Sequence, residues 1–191
     1  MNRNGFEKLL RQKFWEEDVE KIMLALRLAK YGHRNQTRDS GERYFEHVKG
    51  TALILIKEAN VSDRDTIIIA LIHDIDEESF MLTNDDIQHI FGREVSNAIA
   101  LLTKVSAAER KTGATRKEEE YIGQVRNADR KTKIVKLADR LHNLRDMKSW
   151  DQKRKRKFVD ETEKYILPWA KEINKKLAEE ISKICAVTNG R

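Results

Sequence analysis

The chain has 191 residues, 39% of them hydrophobic and 37% charged, with a net charge of +6. That length fits one domain able to bury roughly 70% of its unfolded surface. No apolar run approaches the ~18 residues that a membrane span needs, so no membrane partner is expected. Met1 to Gln12 carries charges through its only apolar patch and does not read as a signal peptide. A single cysteine, Cys185, excludes an internal disulfide and points to a reducing, cytoplasmic setting. One proline and eight glycines suit long helices joined by short turns. With no internal repeat and no low-complexity linker, the expectation is an all-α fold, one domain over residues 1–191.

The charge is unevenly placed. Arg130 to Lys157 holds twelve Lys or Arg against three acids, an excess of +9 that leaves the rest of the chain at −3. Lys153 to Lys157 is an unbroken basic run. Such a run is either a solvated helix face or a field that draws in an anionic ligand. No segment interleaves aromatic with basic residues as nucleic-acid binders do, so nucleic acid is not the expected partner. The sequence carries no signal for an oligomeric state.

In chain order, Glu17 to about Lys30 places Val19, Ile22, Met23, Leu26 and Ala29 on one helical stripe. Tyr31 to Arg43 breaks the pattern, with Asp39-Ser40-Gly41 as a turn. Tyr44 to Ala59 resumes as a helix with Val48, Ala52, Leu55 and Ile56 inward, and His47 lies on it. Next, Ser62 and Asp65 have capping-box spacing, so a helix starts near Asp63 and carries the apolar run Ile67 to Ile72 into His73 and Asp74. Asp76, Glu77 and Glu78 follow at once. Crowded carboxylates repel and lose hydration when partly buried, which a cation would resolve. A solvated acidic loop after a core helix accounts for the same residues, and this stretch alone does not decide between them.

Thr83 to Ile90 reads as a short helix capped by Thr83 and Asp86 and stopped near Gly92, and Glu94 to Val105 as another. Ser106 to Arg116 has no stripe and reads as a loop, a candidate lid over a site. Lys117 to Asn127 is weakly helical. Thr132 to Met147 has a broad apolar face, within which Asp139 needs a partner, either a cation or a metal. Two last helices, about Lys153 to Ile166 and Pro168 to Val187, form an expected packing pair with Pro168 at a first helical position.

His47, the His73-Asp74 pair and Asp139 thus fall on different helices or helix ends. Two imidazoles and two carboxylates suit a divalent ion such as Mn²⁺, Fe²⁺, Co²⁺ or Zn²⁺. Their order, His…His-Asp…Asp, resembles the signature of the HD-domain metal-dependent phosphohydrolases, an all-helical family. The likeness is closer still to the hydrolase domain of RelA/SpoT homologues. Gly32 to His47 resembles that domain's opening motif. Ala70-Leu71-Ile72-His73-Asp74 with Glu77-Glu78 is similar to its second box, and Lys136-Leu137-Ala138-Asp139-Arg140-Leu141-His142-Asn143-Leu144-Arg145 to its third. The similarity runs over about residues 24–147, leaving 153–187 as packing helices. Length leaves no room for the synthetase domain of the long members, so a small stand-alone alarmone hydrolase is expected, the class that includes the metazoan SpoT homologue.

What the resemblance implies is an HD-type helical bundle that removes the 3′-pyrophosphate from guanosine tetra- or pentaphosphate with Mn²⁺. It implies His47, His73, Asp74 and Asp139 as metal ligands and Glu77 and Glu78 as the acids that orient and deprotonate water. Arg38 would stack on the guanine, Ser40 and Tyr44 would line the base and ribose pocket, and Asn143 would bond the ribose region. Two positions depart from the family: Glu78 where Asp is usual, and Asp39 where Lys is usual. Against this reading stand a phosphatase of another phosphorylated ribose, such as the 2′-phosphate of NADPH, and a nucleotide-binding regulator without catalysis. His33, His89 and His142 are read as surface residues or caps of local polar groups.

Overall fold

Every residue from Thr66 to Ile72 is buried, and four helices pack around this segment. In a computed structural model, which describes residues 1–75, 82–105, 113, 115 and 117–190, the order is helical throughout. The helices are α1 (Arg3–Arg11), α2 (Glu16–Gly32), α3 (Tyr44–Lys57), α4 (Arg64–Ile72), α5 (Asn84–Phe91) and α6 (Arg93–Leu102). They continue as α7 (Glu118–Arg126), α8 (Arg130–Asp146), α9 (Gln152–Glu161), α10 (Leu167–Ile173) and α11 (Lys175–Thr188). Among the described residues the one extended pairing is an isolated antiparallel bridge, Thr37 to Arg43. No helix among them is long and apolar enough to cross a membrane.

A helix apolar on all faces must be surrounded, and α4 touches α2, α3, α6 and α8. Its first turn is capped by Asp63, whose carboxylate accepts from Thr66 N at 2.8 Å and Thr66 Oγ1 at 2.6 Å. The cap is therefore Asp63, and the Ser62–Asp65 pair expected from spacing does not form it. A single carboxylate oxygen, Asp63 Oδ2, accepts from both the backbone and the hydroxyl of Thr66. The Thr83–Asp86 box forms as expected, and Gly92 ends α5 at φ +94°, a conformation that suits glycine.

One element was not read from the sequence, and two further expectations are corrected. The N-terminus, where no element is expected from the sequence, forms α1, because Phe6 and Leu10 sit one turn apart and are fully buried and Asn2 Oδ1 accepts from Gly5 N. The helix expected to reach Val105 stops at Leu102. There the carbonyl accepts from Tyr121 Oη at 2.6 Å, and Thr103 turns extended with its hydroxyl on Ile99 O. The last expected helix is two, α10 and α11, broken at Asn174, which is extended at φ −155° and caps α11 through Leu177 N. Before them Thr162–Ile166 widens into a π turn. Pro168 has no N–H to give the carbonyl four residues back, and the wider turn takes up that defect.

Candidate metal centre

The C-terminal end of α4 delivers His73 and Asp74, the first turn of α3 delivers His47, and the middle of α8 delivers Asp139. One ligand atom each from His47, His73 and Asp139 lie within 4.8 Å of one another, and all three residues are buried. His47 Nε2 is 3.3 Å from Asp139 Oδ1 and 3.6 Å from Asp74 Oδ2. His73 Nε2 is 3.3 Å from Asp74 Oδ2 and 3.7 Å from Asp139 Oδ1. Three of the four positions singled out from the sequence therefore form one group, and the fourth, Asp74, borders both of its histidines.

Each member is oriented from behind. His73 Nδ1 lies 2.9 Å from Ala70 O, so that nitrogen carries a proton and Nε2 is the atom that faces the acids. That buried Nε2 has no hydrogen-bond partner. Asp74 Oδ2 accepts from Tyr44 Oη at 2.7 Å. Asp139 divides its oxygens: Oδ2 takes Lys136 Nζ at 3.0 Å, while Oδ1, held by Asn143 Nδ2 at 2.6 Å, faces the histidines. The partner that Asp139 needs is thus in part the buried cation Lys136, and its other oxygen stays with the cluster.

The electrostatics describe a site built for positive charge. Burial works against a charged His73 ring, but the Asp74 and Asp139 carboxylates outweigh it and raise its pKa to about 9. Burial would likewise raise both carboxyls. The His73 and His47 rings reverse this for Asp74, and Lys136 with both rings reverses it for Asp139. Two imidazole nitrogens, one of them the buried His73 Nε2, and a carboxylate oxygen fit a divalent transition ion, which would stand in place of the proton on that Nε2.

Two cavities adjoin the cluster. One, of about 290 Å³, is lined by Arg38, Asp39, Tyr44, Asn143, Trp150 and Arg154, among others. Arg38 is held in plane there, its Nε on Asp146 Oδ2 at 2.8 Å and its Nη2 on Asn143 Oδ1 at 2.6 Å. Asn143 bridges Arg38 and Asp139. The other, about 180 Å³, brings Lys104, Lys136 and Arg140 to Asp74, Asp139 and Glu118. A wider groove of about 740 Å³ beside α9 holds none of the histidines or aspartates of the cluster.

Ser40 is not brought in. It is exposed, does not line the cavity, and its Oγ faces Glu42 N in its own turn. Asp39 pairs with Arg154, whose guanidinium lies 4.0 Å over the Trp150 ring, so the basic run sends one side chain to the cavity mouth. Glu77 and Glu78 lie outside the described residues, as does most of the 106–116 segment read as a lid. Of the remaining histidines, His89 is exposed as expected. His33 caps Gln36 Oε1 at 2.5 Å but is buried, not at the surface. His142 is half-buried, with its Nδ1 3.0 Å from His47 Nδ1. Burial, the His47 ring and Arg38 together push its pKa down to about 3. Sequence reasoning also gave no role to Asp146 or Lys136. Their signal was an acid and a cation on the cluster-facing side of α8.

Comparison with known proteins agrees with this geometry. A family model described as "HD domain" matches residues 25–185. The chain is 32% identical over 165 residues to "Probable GTP diphosphokinase RSH3, chloroplastic" of Oryza sativa subsp. japonica, which covers 82% of this chain and 22% of that protein. It is 27% identical over 168 residues to "Bifunctional (p)ppGpp synthase/hydrolase SpoT" of Escherichia coli K12, covering 87% of this chain and 24% of that protein. The chain therefore spans less than a quarter of the length of these relatives. A solved structure described as "A metazoan ortholog of SpoT hydrolyzes ppGpp and plays a role in starvation responses" superposes with a TM-score of 0.77 at 24% identity. That match covers 89% of this chain and 96% of the other, and it establishes a shared fold.

Proposed function

The chain belongs to the HD-domain family, and on that footing we propose that it hydrolyses guanosine tetra- or pentaphosphate at the 3′-pyrophosphate, giving GDP or GTP and pyrophosphate. The observation that carries this reading is the meeting of His47, His73 and Asp139 within 4.8 Å beside a cavity holding a planar, fixed arginine. The names of relatives support it: SpoT is called a synthase/hydrolase, and its counterpart in Escherichia coli O157:H7 a guanosine-3′,5′-bis(diphosphate) 3′-pyrophosphohydrolase. The reading takes residues 1–191 as one hydrolase domain.

His47, His73, Asp74 and Asp139 would hold the ion, for which Mn²⁺ suits mixed imidazole and carboxylate donors. When bound, the ion supplies Lewis acidity toward phosphoryl oxygens and makes a nearby water more acidic. Glu77 and Glu78, three and four positions after Asp74, are assigned to orient that water and take its proton. The water oxygen bonds the 3′-linked phosphorus as the P–O3′ bond breaks. The released 3′ oxygen ends protonated, and pyrophosphate departs. Lys104, Lys136 and Arg140 balance three acids in the 180 Å³ cavity, so a divalent ion on the acid side leaves it at +2, suited to a pyrophosphate.

Arg38 offers the face of its guanidinium to the guanine while Asp146 and Asn143 hold its edge. Tyr44 serves both halves, lining the same cavity and donating to Asp74. Ser40 has no part in this reading.

The test is product analysis of Mn²⁺-loaded protein given guanosine tetraphosphate or, separately, NADPH. GDP with pyrophosphate from the first, abolished by chelator, is the expected result. Phosphate released from NADPH alone would move the substrate and keep the metal chemistry. Nucleotide binding without turnover of either would leave a regulator. Glu77→Gln with Glu78→Gln should collapse turnover while nucleotide binding persists.

A further inference from the structure

His47 and His142 present Nδ1 to Nδ1 at 3.0 Å, with ring centroids 4.8 Å apart and planes at 75°. Two ring nitrogens at that distance are bonded only when one carries the proton and the other a lone pair. We propose that His142 is a positioning residue: it accepts the His47 Nδ1 proton and so fixes the tautomer whose Nε2 lone pair faces Asp139 and His73. This rests on the reading of the cluster as a metal site.

The rest of the neighbourhood is shaped around that ring. Gly50 sits inside α3, where glycine is unfavourable by about 1 kcal/mol relative to alanine. A Cβ there would fall 2.1 Å from His142 Nε2 and 2.4 Å from its Cδ2. No side chain can stand at position 50 while His142 keeps its place, which gives a mid-helix glycine a physical reason. His142 also follows Asp139 by three residues on α8, so ligand and positioning group share one helix face.

His73 shows the same arrangement with a different acceptor, its Nδ1 on Ala70 O. Both imidazoles thereby turn Nε2 inward, one held by a carbonyl and the other by a second imidazole. A neutral acceptor behind His47 orients it without adding a third carboxylate to a pocket that already holds Asp74 and Asp139.

The experiment titrates the full chain with Mn²⁺ by calorimetry, for wild type, His142→Phe, His142→Asn and Gly50→Ala. His142→Phe keeps a ring in the Gly50 space without an acceptor and should weaken Mn²⁺ binding roughly 10- to 100-fold. His142→Asn places an amide oxygen near the lost Nδ1 and should recover most of that loss. Gly50→Ala, which displaces the ring and touches no ligand, should weaken binding like His142→Phe. Wild-type affinity in a folded His142→Phe would overturn the proposal. Nitrogen-15 spectra of the Zn²⁺-loaded wild type give an answer even if the variants do not fold. The proton between the rings should sit on His47 Nδ1, and finding it on His142 Nδ1 overturns the inference. Failure of the wild type to bind either ion would instead overturn the metal reading itself, and this inference with it.

Discussion

The buried cluster and the mouth of the adjoining cavity are assembled differently. His47, His73 and Asp139 are nearly solvent-free, and each is held from behind: by His142, by the Ala70 carbonyl, and by Lys136 with Asn143. At the mouth, Asp39 and Arg154 form an ion pair whose side chains are 55% and 52% exposed. Displacing a group in the cluster leaves buried charge uncompensated, whereas the mouth pair can part with water on both sides. The cluster is thus fixed in geometry, while the ion pair at the mouth is free to exchange partners with water. Of the two positions read from the sequence as departing from the family pattern, Asp39 lies at the mouth and Glu78 is outside the described residues.

The largest effect should come from the cluster. Asp139→Asn keeps the shape and removes the charge, and should lower kcat/KM roughly a thousandfold, since metal-borne stabilisation is worth several kcal/mol at 1.36 kcal/mol per decade. Steady-state kinetics with saturating Mn²⁺ check this, and a loss under tenfold would remove Asp139 from the ligand set. Below the cluster, Ile69→Ala on the fully enclosed α4 should cost about 2–5 kcal/mol of stability in chemical denaturation.

Proton linkage sharpens the comparison further. His73 titrates at about 9 in the metal-free fold against an ordinary 6.5, so its charged form favours folding. That stabilisation is complete below pH 6.5 and is lost as pH rises to 9. Metal-free protein should therefore melt at progressively lower temperature across that window, and saturating Mn²⁺ should flatten the slope. A slope indifferent to Mn²⁺ would separate His73 from the metal.

At the mouth the effects shrink. Arg38→Lys keeps the charge but loses the planar face and the paired bonds to Asp146 and Asn143, and should raise KM about tenfold with little change in kcat. Asp39→Asn frees Arg154 and should change KM by at most about fivefold, the scale of an exposed ion pair. A larger change in the ratio of guanosine tetraphosphate to NADPH turnover would make Asp39 a selectivity residue, not a surface tie.

Much of the cluster was legible because its residues announce themselves by type and order: a histidine in an apolar helix, a His-Asp at the end of an all-apolar run, an aspartate inside an apolar face. The packing of α2, α3, α4 and α8 followed from stripes that burial then matched. What sequence could not supply were contacts between distant residues. His142 reads as one more polar helix residue until α3 is laid against α8, and only then does Gly50 become the space for its ring. Asn174 as a cap and the π turn before Pro168 depend on local backbone choices that an unbroken apolar stripe conceals. The Asp39–Arg154 pair joins residues 115 apart, and no periodicity reports it.

The most direct test strips the metal and adds back Mn²⁺ while bound ion, by electron paramagnetic resonance, and GDP release are followed in the same sample. Turnover of guanosine tetraphosphate should be absent in the stripped protein and rise in step with ion bound, reaching its plateau at one Mn²⁺ per chain. Full turnover by the stripped protein, or Mn²⁺ bound at the cluster with no GDP released, would contradict the account.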